Sequence, residues 1–379
     1  MVLGIDASQA NREERSGTEW YAFYLIQEFK KLLRDREDIK LRLYFRDAPR
    51  EDLLNGWPPN FEVRILKWPL RYFWGQIRLS WEMFWHPPDV LFCPAHTIPI
   101  IHPSRTFTTL HDIGFVDNPE LYDKLSLLYH RFSAWLAVRS AHHIFTISEF
   151  SRKRMADYYK CPENKITVTH LGVSPDFSTE KSENREKNDV GKFILFIGRL
   201  EPKKNVLGMV KAFEMAGVNC DLIFAGRRVR TKDLDDYLAS RQALRDRVKF
   251  LGYIDEEQRR RLLLEAAVFL FPTFYEGFGL PILEAQAAGV PVITSNITSN
   301  PEIAGDGAVL VDPHNISEIA AAIKELLTNH ELRNQKIKLG HENVKRFSWT
   351  ETARLTLEKL LTSPGPRATL SENGEGRVR

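Results

Sequence analysis

The stretch FYEGFGLPILEAQAAGVPVI, residues 274–293, decides how the second half of the chain folds. A Gly-Phe-Gly-Leu-Pro turn separates Glu276 from Glu284, and apolar runs stand on both sides. Pro281 is well placed as the first residue of a helix, which leaves the free amides of the turn at a helix N-terminus. We therefore expect Glu276 to end a strand, the turn to bind an anion, and Glu284 to lie in the first helical turn.

Similar apolar runs recur along the whole chain, and stretches with helical spacing, such as residues 19–33, lie between several of them. The runs cover residues 2–6, 90–94, 106–112, 143–148 and 166–172 in the first half, and 192–198, 220–226, 248–253, 268–272, 290–295 and 308–312 in the second. Apolar strands that alternate with helices are typical of parallel sheets covered on both faces. The sequence thus predicts an α/β fold with two doubly wound, Rossmann-like domains whose strand ends face a cleft.

A polar run, STEKSENREKNDVG at 178–191, separates the two series and holds no large apolar side chain except Val190. Such a composition is typical of an exposed connector. We place one domain at 1–180 and a second domain at 191–346. A helix at 347–363 is expected to close back toward the N-terminal domain, and 364–379 to be a disordered tail.

Composition narrows the class of protein. The 379 residues carry 53 basic and 50 acidic side chains, a net charge of +3, which argues against a dedicated nucleic-acid binder. Cys93, Cys161 and Cys220 are widely spaced, which favours a reducing compartment over a disulfide framework. The N-terminal VLGIDAS is unlike a signal peptide, and no apolar run reaches the roughly 18 residues of a spanning helix. We expect a soluble, cytoplasmic chain.

A second motif follows the apolar run 192–198, where Gly198 and Arg199 precede Lys204. Glycine permits a tight turn, and two cations that converge from one loop suit a diphosphate. An isolated R-x4-K is more often a solvated basic loop, but its position before a helix, together with the glycine-rich turn, favours the phosphate interpretation. The two glutamates would accept hydrogen bonds from a ribose and a sugar; otherwise Glu276 faces solvent and Glu284 stabilises a helix dipole.

Together these motifs resemble the retaining glycosyltransferases of family 4, which have the two-domain GT-B fold. The E-x7-E pattern from Glu276 to Glu284 carries the resemblance, and Gly289-Val-Pro-Val-Ile follows it. Ser148-Glu-Phe-Ser and His170-Leu-Gly-Val extend it into the first half of the chain. The resemblance implies a hexosyltransferase that uses a nucleotide sugar as co-substrate and needs no other cofactor. It also implies that the N-terminal domain at 1–180 binds the acceptor and that the domain at 191–346 binds the donor.

The resemblance also assigns roles to residues. Arg199 and Lys204 would bind the donor pyrophosphate, Glu284 the ribose, Glu276 and His111 the transferred sugar, and the turn after Gly252 the base. The donor-binding residues it implies are Gly198, Arg199, Lys204, Tyr253, Ile254, Glu276, Gly277, Phe278, Gly279, Leu280 and Glu284, and the catalytic ones are His111, Arg199, Lys204 and Glu276.

The first domain supplies fewer signals. His111 and Asp112 end the run TFTTLHD, where the alternative is a purely structural histidine. Gly17, Trp74 and Asp112 are candidate acceptor-binding residues, although the family often has two glycines in the loop where residues 14–19 hold only Gly17. The histidines at 96, 102 and 111 lack a metal-binding spacing, so we expect no metal.

Residues 66–89 concentrate aromatic and basic side chains, namely Trp68, Arg71, Tyr72, Phe73, Trp74, Arg78, Trp81, Phe84 and Trp85. Three interpretations remain open: core packing, an acceptor groove, or peripheral contact with a membrane.

The stretch TSNITSNPEIAGDGAVLVDP, 294–313, favours mannose from GDP-mannose as donor, and the family suggests a glycan or lipid-linked saccharide of a cell-envelope polysaccharide as acceptor. We expect metal-independent transfer with retention, since no nucleophile is evident. A non-catalytic nucleotide-sugar sensor or scaffold subunit is the alternative. A nicotinamide oxidoreductase is disfavoured because no strand precedes G-x-G-x-x-G.

Overall fold

The computed structural model of the chain describes residues 1–13, 15, 17–70, 73–174, 177 and 192–363. The strands are β1 (Val2–Asp6), β2 (Lys40–Phe45), β3 (Phe61–Ile65), β4 (Val90–Cys93), β5 (Thr106–Thr109), β6 (His143–Thr146), β7 (Ile166–Val168), β8 (Phe193–Ile197), β9 (Asp221–Ala225), β10 (Val248–Gly252), β11 (Ala266–Phe271), β12 (Val292–Ser295) and β13 (Ala308–Val311). The predicted connector at 178–191 and tail at 364–379 lie outside this part of the chain.

Helices join the strands. They are α1 (Gly17–Leu32), α2 (Glu51–Leu54), α3 (Ser80–Trp85), α4 (Gly114–Asp117), α5 (Lys124–Ser140), α6 (Glu149–Tyr159), α7 (Val206–Ala216), α8 (Lys232–Ala239), α9 (Gln242–Arg245), α10 (Glu256–Glu265), α11 (Leu280–Ala287), α12 (Asn300–Ala304), α13 (Ile316–Thr328), α14 (His330–Val344) and α15 (Trp349–Thr362). A π-helical turn, Trp74–Leu79, runs directly into α3. No helix of the described chain is long and apolar enough to cross a membrane.

The strands form two sheets. The first has the order β3-β2-β1-β4-β5-β6-β7, and the second has the order β10-β9-β8-β11-β12-β13. The central pairs of both sheets, β1 with β2 and β4, and β8 with β9 and β11, are parallel. Two doubly wound, parallel α/β sheets are what the alternating apolar runs predicted, so the fold class is confirmed.

The described chain divides into two compact units. The first comprises Met1–Leu110, Phe132–Phe145 and the chain from Ala353 onward, and the second comprises His111–Arg131 and Thr146–Thr352. Most of α15 therefore belongs to the first unit, where Arg105 Nη2 donates a hydrogen bond of 3.0 Å to the carbonyl of Leu360. The domain limits expected at 180 and 191 fall on residues outside the described ranges and remain predictions.

The second sheet reverses its winding between β8 and β11. From β8 the chain proceeds to β9 and β10 on one side, and from β11 it proceeds to β12 and β13 on the other. All six positions of β11 are buried, and the rings of Phe196 and Phe271 stack with centroids 5.6 Å apart. The connections that follow β8 and β11 consequently run to opposite sides of the sheet, and the carboxyl ends of such neighbouring strands are the usual ligand site.

The expectation that Glu276 ends a strand was wrong. Strand β11 ends at Phe271 because Pro272, which has no N–H, cannot donate to the sheet, and Glu276 lies in the loop that follows. Helix α11 begins at Leu280, with Pro281 in its first turn. Glu284 is then the fifth helical residue and lies one turn into the helix.

A tight backbone contact joins the loops after β8 and β9. Gly198 and Gly226 have φ angles of 152° and 148°, which favour glycine. A Cβ placed on Gly226 would lie 1.9 Å from the carbonyl oxygen of Gly198. Glycine at 226 therefore lets the strand end approach the loop that carries Arg199.

We expect Gly226→Ala to lower the free energy of unfolding by about 1–3 kcal/mol or more, because the added methyl meets fixed backbone. Urea denaturation of the purified protein measures the change. Gly75→Ala is the matched control, since a Cβ at Gly75 meets nothing within 4 Å. Equal stability of the two variants would contradict this account of the contact.

Candidate functional site

The loops after β8 and β11 meet at the winding reversal of the second sheet. The backbone N–H of Phe274 donates to the carbonyl of Lys203 at 2.9 Å. The side-chain amide of Asn205, just before α7, donates to the carbonyls of Pro272 at 3.0 Å and Pro313 at 2.8 Å. Asn205 itself has a φ of 57°, which turns the chain into the helix. These bonds fix the two loops against each other although 67 residues separate Asn205 from Pro272.

Lys204 and Glu276 form an ion pair across these loops. The ammonium of Lys204 lies 2.5 Å from Glu276 Oε1, and the side chains are 14% and 12% exposed. Lys204 Nζ also lies 5.6 Å from the ring centroid of Phe271. An ammonium has three N–H donors and a carboxylate has two acceptor oxygens, so each partner keeps hydrogen-bonding capacity for a ligand.

Arg199 belongs to the same loop and is turned to solvent. Its guanidinium is 63% exposed and lies 3.9 Å from the carboxylate of Glu201, which also lies 3.4 Å from Lys203 Nζ. Burial alone would lower the pKa of Lys203, but the carboxylates of Glu201, Asp112 and Glu276 raise it overall. The site therefore contains a third cation, Lys203, which the sequence motif did not single out.

Buried polar side chains from the next loop of the sheet hold the glycine-rich turn. Ser299 Oγ lies 3.0 Å from the carbonyl oxygen of Glu276 and 2.9 Å from that of Phe278. The Asn300 side-chain amide donates to Thr273 Oγ1 at 3.1 Å. Ser299, Asn300 and Thr273 are fully buried. The positions of Ser299 and Asn300 after β12, in the stretch 294–313, were the available signal, but the sequence does not show which groups they contact.

Ser148 holds the same turn from helix α6. Its hydroxyl donates to the carbonyl of Gly277 at 2.7 Å, and its oxygen caps α6 by accepting from the N–H of Ser151 at 3.1 Å. A Cβ on Gly277 would lie 2.5 Å from Asp112 Oδ2, and the N–H of Gly114 donates to Asp112 Oδ1 at 2.8 Å. Gly277 is thus required by close contact with Asp112.

These serines determine which way the amides of the turn point. The carbonyls of Glu276, Gly277 and Phe278 are all held by Ser299 or Ser148. In a trans peptide the carbonyl and the following N–H point in opposite directions. The N–H of Gly277 and that of Gly279 therefore point away from Ser299, and the N–H of Phe278 points away from Ser148. That these amides bind an anion stays a prediction.

A half-buried carboxylate, that of Glu302, ties α6 to α12. It accepts hydrogen bonds from the backbone N–H of Glu149 at 2.9 Å and of Phe150 at 3.2 Å, and lies 2.8 Å from His170 Nε2. Burial alone would raise the pKa of Glu302, but these hydrogen bonds lower it. The start of α6, including Ser148, is therefore held at two points.

Glu284 pairs with Arg259 of α10. It is 2% exposed, and its Oε1 lies 3.0 Å from Arg259 Nη1. The Arg259 guanidinium lies 5.4 Å from the ring centroid of Phe177 and 3.2 Å from Glu256. Burial raises the pKa of Glu284, while Arg259 acts in the opposite direction. A carboxylate that only stabilises a helix dipole would not need such a partner. Nothing in the sequence indicated that Arg259, one of three consecutive arginines at 259–261, is the partner of Glu284.

Other predicted donor residues lie in the second unit. His111, beyond β5, is 6% exposed, and Thr146 Oγ1 lies 3.5 Å from its carbonyl oxygen. Tyr253 is 58% exposed, and the Arg227 guanidinium lies 5.6 Å from its ring centroid. Ile254 packs against the core of the sheet. Among the residues that the structure describes, no three His, Cys, Asp or Glu side chains form a metal-binding group.

Two predicted acceptor residues lie in the first unit. Trp74 is buried, and its indole N–H donates to the carbonyl of Leu66 at 2.8 Å. That geometry suits core packing and does not fit an acceptor-binding side chain. Gly17 begins α1 and is exposed, and its acceptor role stays a prediction. Glu14 and Ser16, which flank Arg15 just before Gly17, lie outside the described residues. Arg71 and Tyr72 of the aromatic segment 66–89 also lie outside them.

Two family models match the sequence. "Glycosyltransferase Family 4" matches residues 15–177, and "Glycosyl transferases group 1" matches residues 177–342. The O-antigen chain mannosyltransferase B of Escherichia coli is 32% identical over 320 residues, which cover 81% of this chain and 82% of the relative. The O-antigen chain mannosyltransferase RfbU of Salmonella typhimurium is 27% identical over 70% of this chain and 71% of its own length.

Solved structures show the same fold. WaaG, a glycosyltransferase involved in lipopolysaccharide biosynthesis, superposes with a TM-score of 0.70 at 14% identity and covers 96% of this chain and 100% of its own. Anabaena HepE in complex with UDP and glucose superposes with a TM-score of 0.68 at 20% identity, over 95% of this chain and 98% of its own.

The change in stability caused by Glu284→Gln should be more favourable, or less unfavourable, at neutral than at acidic pH, although the variant loses the ion pair with Arg259. Burial raises the pKa of Glu284, whereas the same carboxyl in the unfolded chain has a pKa of about 4.3. Above that pH the folded state binds more protons than the unfolded state, so the contribution of Glu284 to stability falls as pH rises. Urea denaturation of wild type and variant at about pH 4 and about pH 7 measures the difference.

Glu256→Gln is the matched control, because it removes the exposed carboxylate that contacts the same Arg259. Its stability difference from wild type should change less with pH, since exposed pairs contribute little. A Glu284→Gln difference that is the same at both pH values would show that burial does not govern this carboxyl.

Proposed function

The chain belongs to glycosyltransferase family 4 and has the GT-B fold, and from this premise we propose that it transfers mannose from GDP-mannose to a glycan or lipid-linked saccharide. The observation that carries the proposal is the Lys204–Glu276 pair, set beside the outward amides of the glycine-rich turn. Cations and amides at one strand edge suit a diphosphate, and a carboxylate suits sugar hydroxyls. The names of the two mannosyltransferase relatives support the choice of mannose and of a surface polysaccharide.

In this proposal the donor lies across the ends of β8 and β11. Arg199 and Lys204 bind the pyrophosphate together with the amides of residues 277–280, and Lys203 adds to the positive potential. Glu284 accepts from the ribose, and the turn at Tyr253 and Ile254 contacts the base. His111 and Glu276 contact the transferred hexose. The exposure of Arg199 and Tyr253 and the partial exposure of Lys204 and Glu276 are consistent with these roles.

We propose transfer with retention of configuration. The bond between the anomeric carbon and the diphosphate oxygen breaks, the acceptor oxygen bonds to that carbon from the same face, and its proton passes to a phosphate oxygen. Negative charge grows on the diphosphate in the transition state, where Arg199 and Lys204 stabilise it. These side chains take the place of a divalent cation, so the proposed reaction needs no metal or other cofactor.

A glycosidase would place its two carboxylates on either side of the anomeric carbon. Glu284 is instead buried against Arg259, and Glu276 is paired with Lys204, which supports a binding role for both.

The second candidate is a nucleotide-sugar sensor or scaffold subunit that binds the donor without turning it over. We place the protein in the cytoplasm, with peripheral contact at the inner face of the membrane.

We expect slow release of the nucleoside diphosphate from GDP-mannose in the presence of a chelator. Lys204→Ala and Glu276→Ala should each lower the rate by about 10²–10³-fold, because each removes a fixed group from the developing charge or from the sugar. A coupled assay across GDP-sugars and UDP-sugars, with and without acceptor extract, measures the release. Lys249→Ala, on an exposed lysine of the same sheet, should leave it unchanged.

Donor binding by calorimetry without release, even when acceptor extract is added, would favour the sensor. Release that stops with chelator would contradict metal independence while leaving the transferase proposal intact.

For GDP-α-mannose, retention predicts an α-linked product. Proton NMR of the anomeric signal in the isolated product measures the configuration. A β-linked product would overturn the proposed same-face attack, because inversion requires the acceptor to approach from the opposite side.

A further inference from the structure

The segment around α3 carries large apolar side chains on its outer surface. Leu79 and Met83 are buried, whereas Trp81, the most exposed of the outward residues, is 62% exposed. The exposed members are Phe73, Ile77, Trp81, Phe84 and Trp85, spaced mostly four residues apart along one side of the π-helical turn and α3. Core packing therefore accounts for the inner side of this segment only.

Helix α5 also exposes large apolar side chains, and it buries small ones. Its buried side consists of the small residues Ser133, Ala134 and Ala137. Its large apolar residues are exposed instead, namely Leu125, Leu128, Tyr129, Phe132 and Trp135. A helix that covers a sheet normally turns its large apolar residues inward, so the outward face of α5 needs a partner.

The two helices cover one face of the first sheet. The connections from β3 to β4 and from β5 to β6 cross the sheet in the same direction, so right-handed crossovers place α3 and α5 on the same side. The N–H of Ile101 donates to Ser80 Oγ at 3.3 Å, and His102 Nε2 lies 3.2 Å from Ser140 Oγ. Ile100 and Ile101, both exposed, thus lie between the helices.

We call this surface of the first unit the aromatic face, and define it by Phe73, Ile77, Trp81, Phe84, Trp85, Ile100, Ile101, Phe132 and Trp135.

Cations accompany the aromatic face. Helix α5 contains no acidic residue, and its Lys124, Arg131 and Arg139 are exposed. In α3 the carboxylate of Glu82 is only 9% exposed and lies 3.3 Å from Arg78 and 3.6 Å from His86. Exposed indole rings on helices whose exposed charges are mainly basic match the headgroup region of an anionic bilayer.

We propose that the aromatic face docks on an anionic lipid bilayer, with its indole and phenyl rings at the headgroup level. A second copy of the chain fits less well, because a two-fold interface would set the cations of α5 against like charges. The docking deepens the proposed function and rests on it for its purpose, since a lipid-linked acceptor would lie in the same bilayer.

The test is sedimentation of the full chain with vesicles of phosphatidylcholine, alone or mixed with phosphatidylglycerol. We expect binding to the mixed vesicles that weakens as salt is raised. The double variant Trp81→Ser/Trp85→Ser should lower vesicle affinity on the order of tenfold or more, since each indole buries a large apolar area. Arg131→Gln/Arg139→Gln should lower binding to the mixed vesicles and reduce its salt dependence.

Met215→Ser/Leu251→Ser is the matched control, because it removes exposed apolar side chains from the second unit, and it should bind vesicles like wild type. The proposal is overturned if the wild type does not bind the mixed vesicles. It is also overturned if the variant that lacks both tryptophans binds them like wild type. A dimer by light scattering that the tryptophan variant abolishes also overturns it in favour of a second copy.

Release of nucleoside diphosphate from the donor, measured without vesicles, separates the two proposals. Vesicle binding without release of nucleoside diphosphate would support docking by the aromatic face and contradict the transfer reaction. Release without vesicle binding would support the transfer reaction and contradict docking. The tryptophan variant should release nucleoside diphosphate at the wild-type rate, which also shows that it is folded.

Discussion

The candidate site depends on one topological constraint, the reversal of winding between β8 and β11. The connections that follow these two neighbouring strands run to opposite sides of the sheet. Neither connection covers the carboxyl ends of both strands, so the loops there border a gap. The Phe274–Lys203 backbone bond and the Asn205 amide span that gap and set the distance between the loops. Lys204 meets Glu276 because both follow adjacent strands, although they are 72 residues apart in sequence.

Within that frame, uncharged polar side chains orient the charged ones. Ser148, Ser299 and Asn300 are buried, and their hydroxyl and amide N–H groups donate to backbone or hydroxyl oxygens, so they leave the turn little freedom to rotate. A site built this way presents its amides before any ligand arrives, which reduces the reorganisation that binding or catalysis would require. Glu284 is the opposite case, because its burial disfavours its own charge and Arg259 offsets only part of that effect.

Much of this arrangement could be predicted from sequence, for physical reasons. Apolar runs indicate burial on both faces, so both parallel sheets and most strands were predicted. Strands β2 and β3 were not, because charged residues interrupt their apolar positions. Glycines and a proline marked the turn before α11. The predicted run at 268–272 matches β11, but Glu276 lies in the following loop, because Pro272 cannot donate to the sheet and ends the strand. Arg259 and Lys203 were missed, since a basic residue on a charged surface and one inside a site look alike until the chain folds.

The hydrogen bonds that Ser148 and Glu302 make within the second unit affect where two such enzymes can be joined into a hybrid. Helix α6 precedes the polar connector in sequence, yet its first residues are fastened to Gly277 and to α12. A hybrid made by exchanging halves at residues 178–191 would receive a foreign α6 against a native turn. Parents that differ in the serine or in the carboxylate would lose this fit. A crossover ahead of Ser148 keeps both partners from one parent, and so offers the better exchange point for grafting a new N-terminal half.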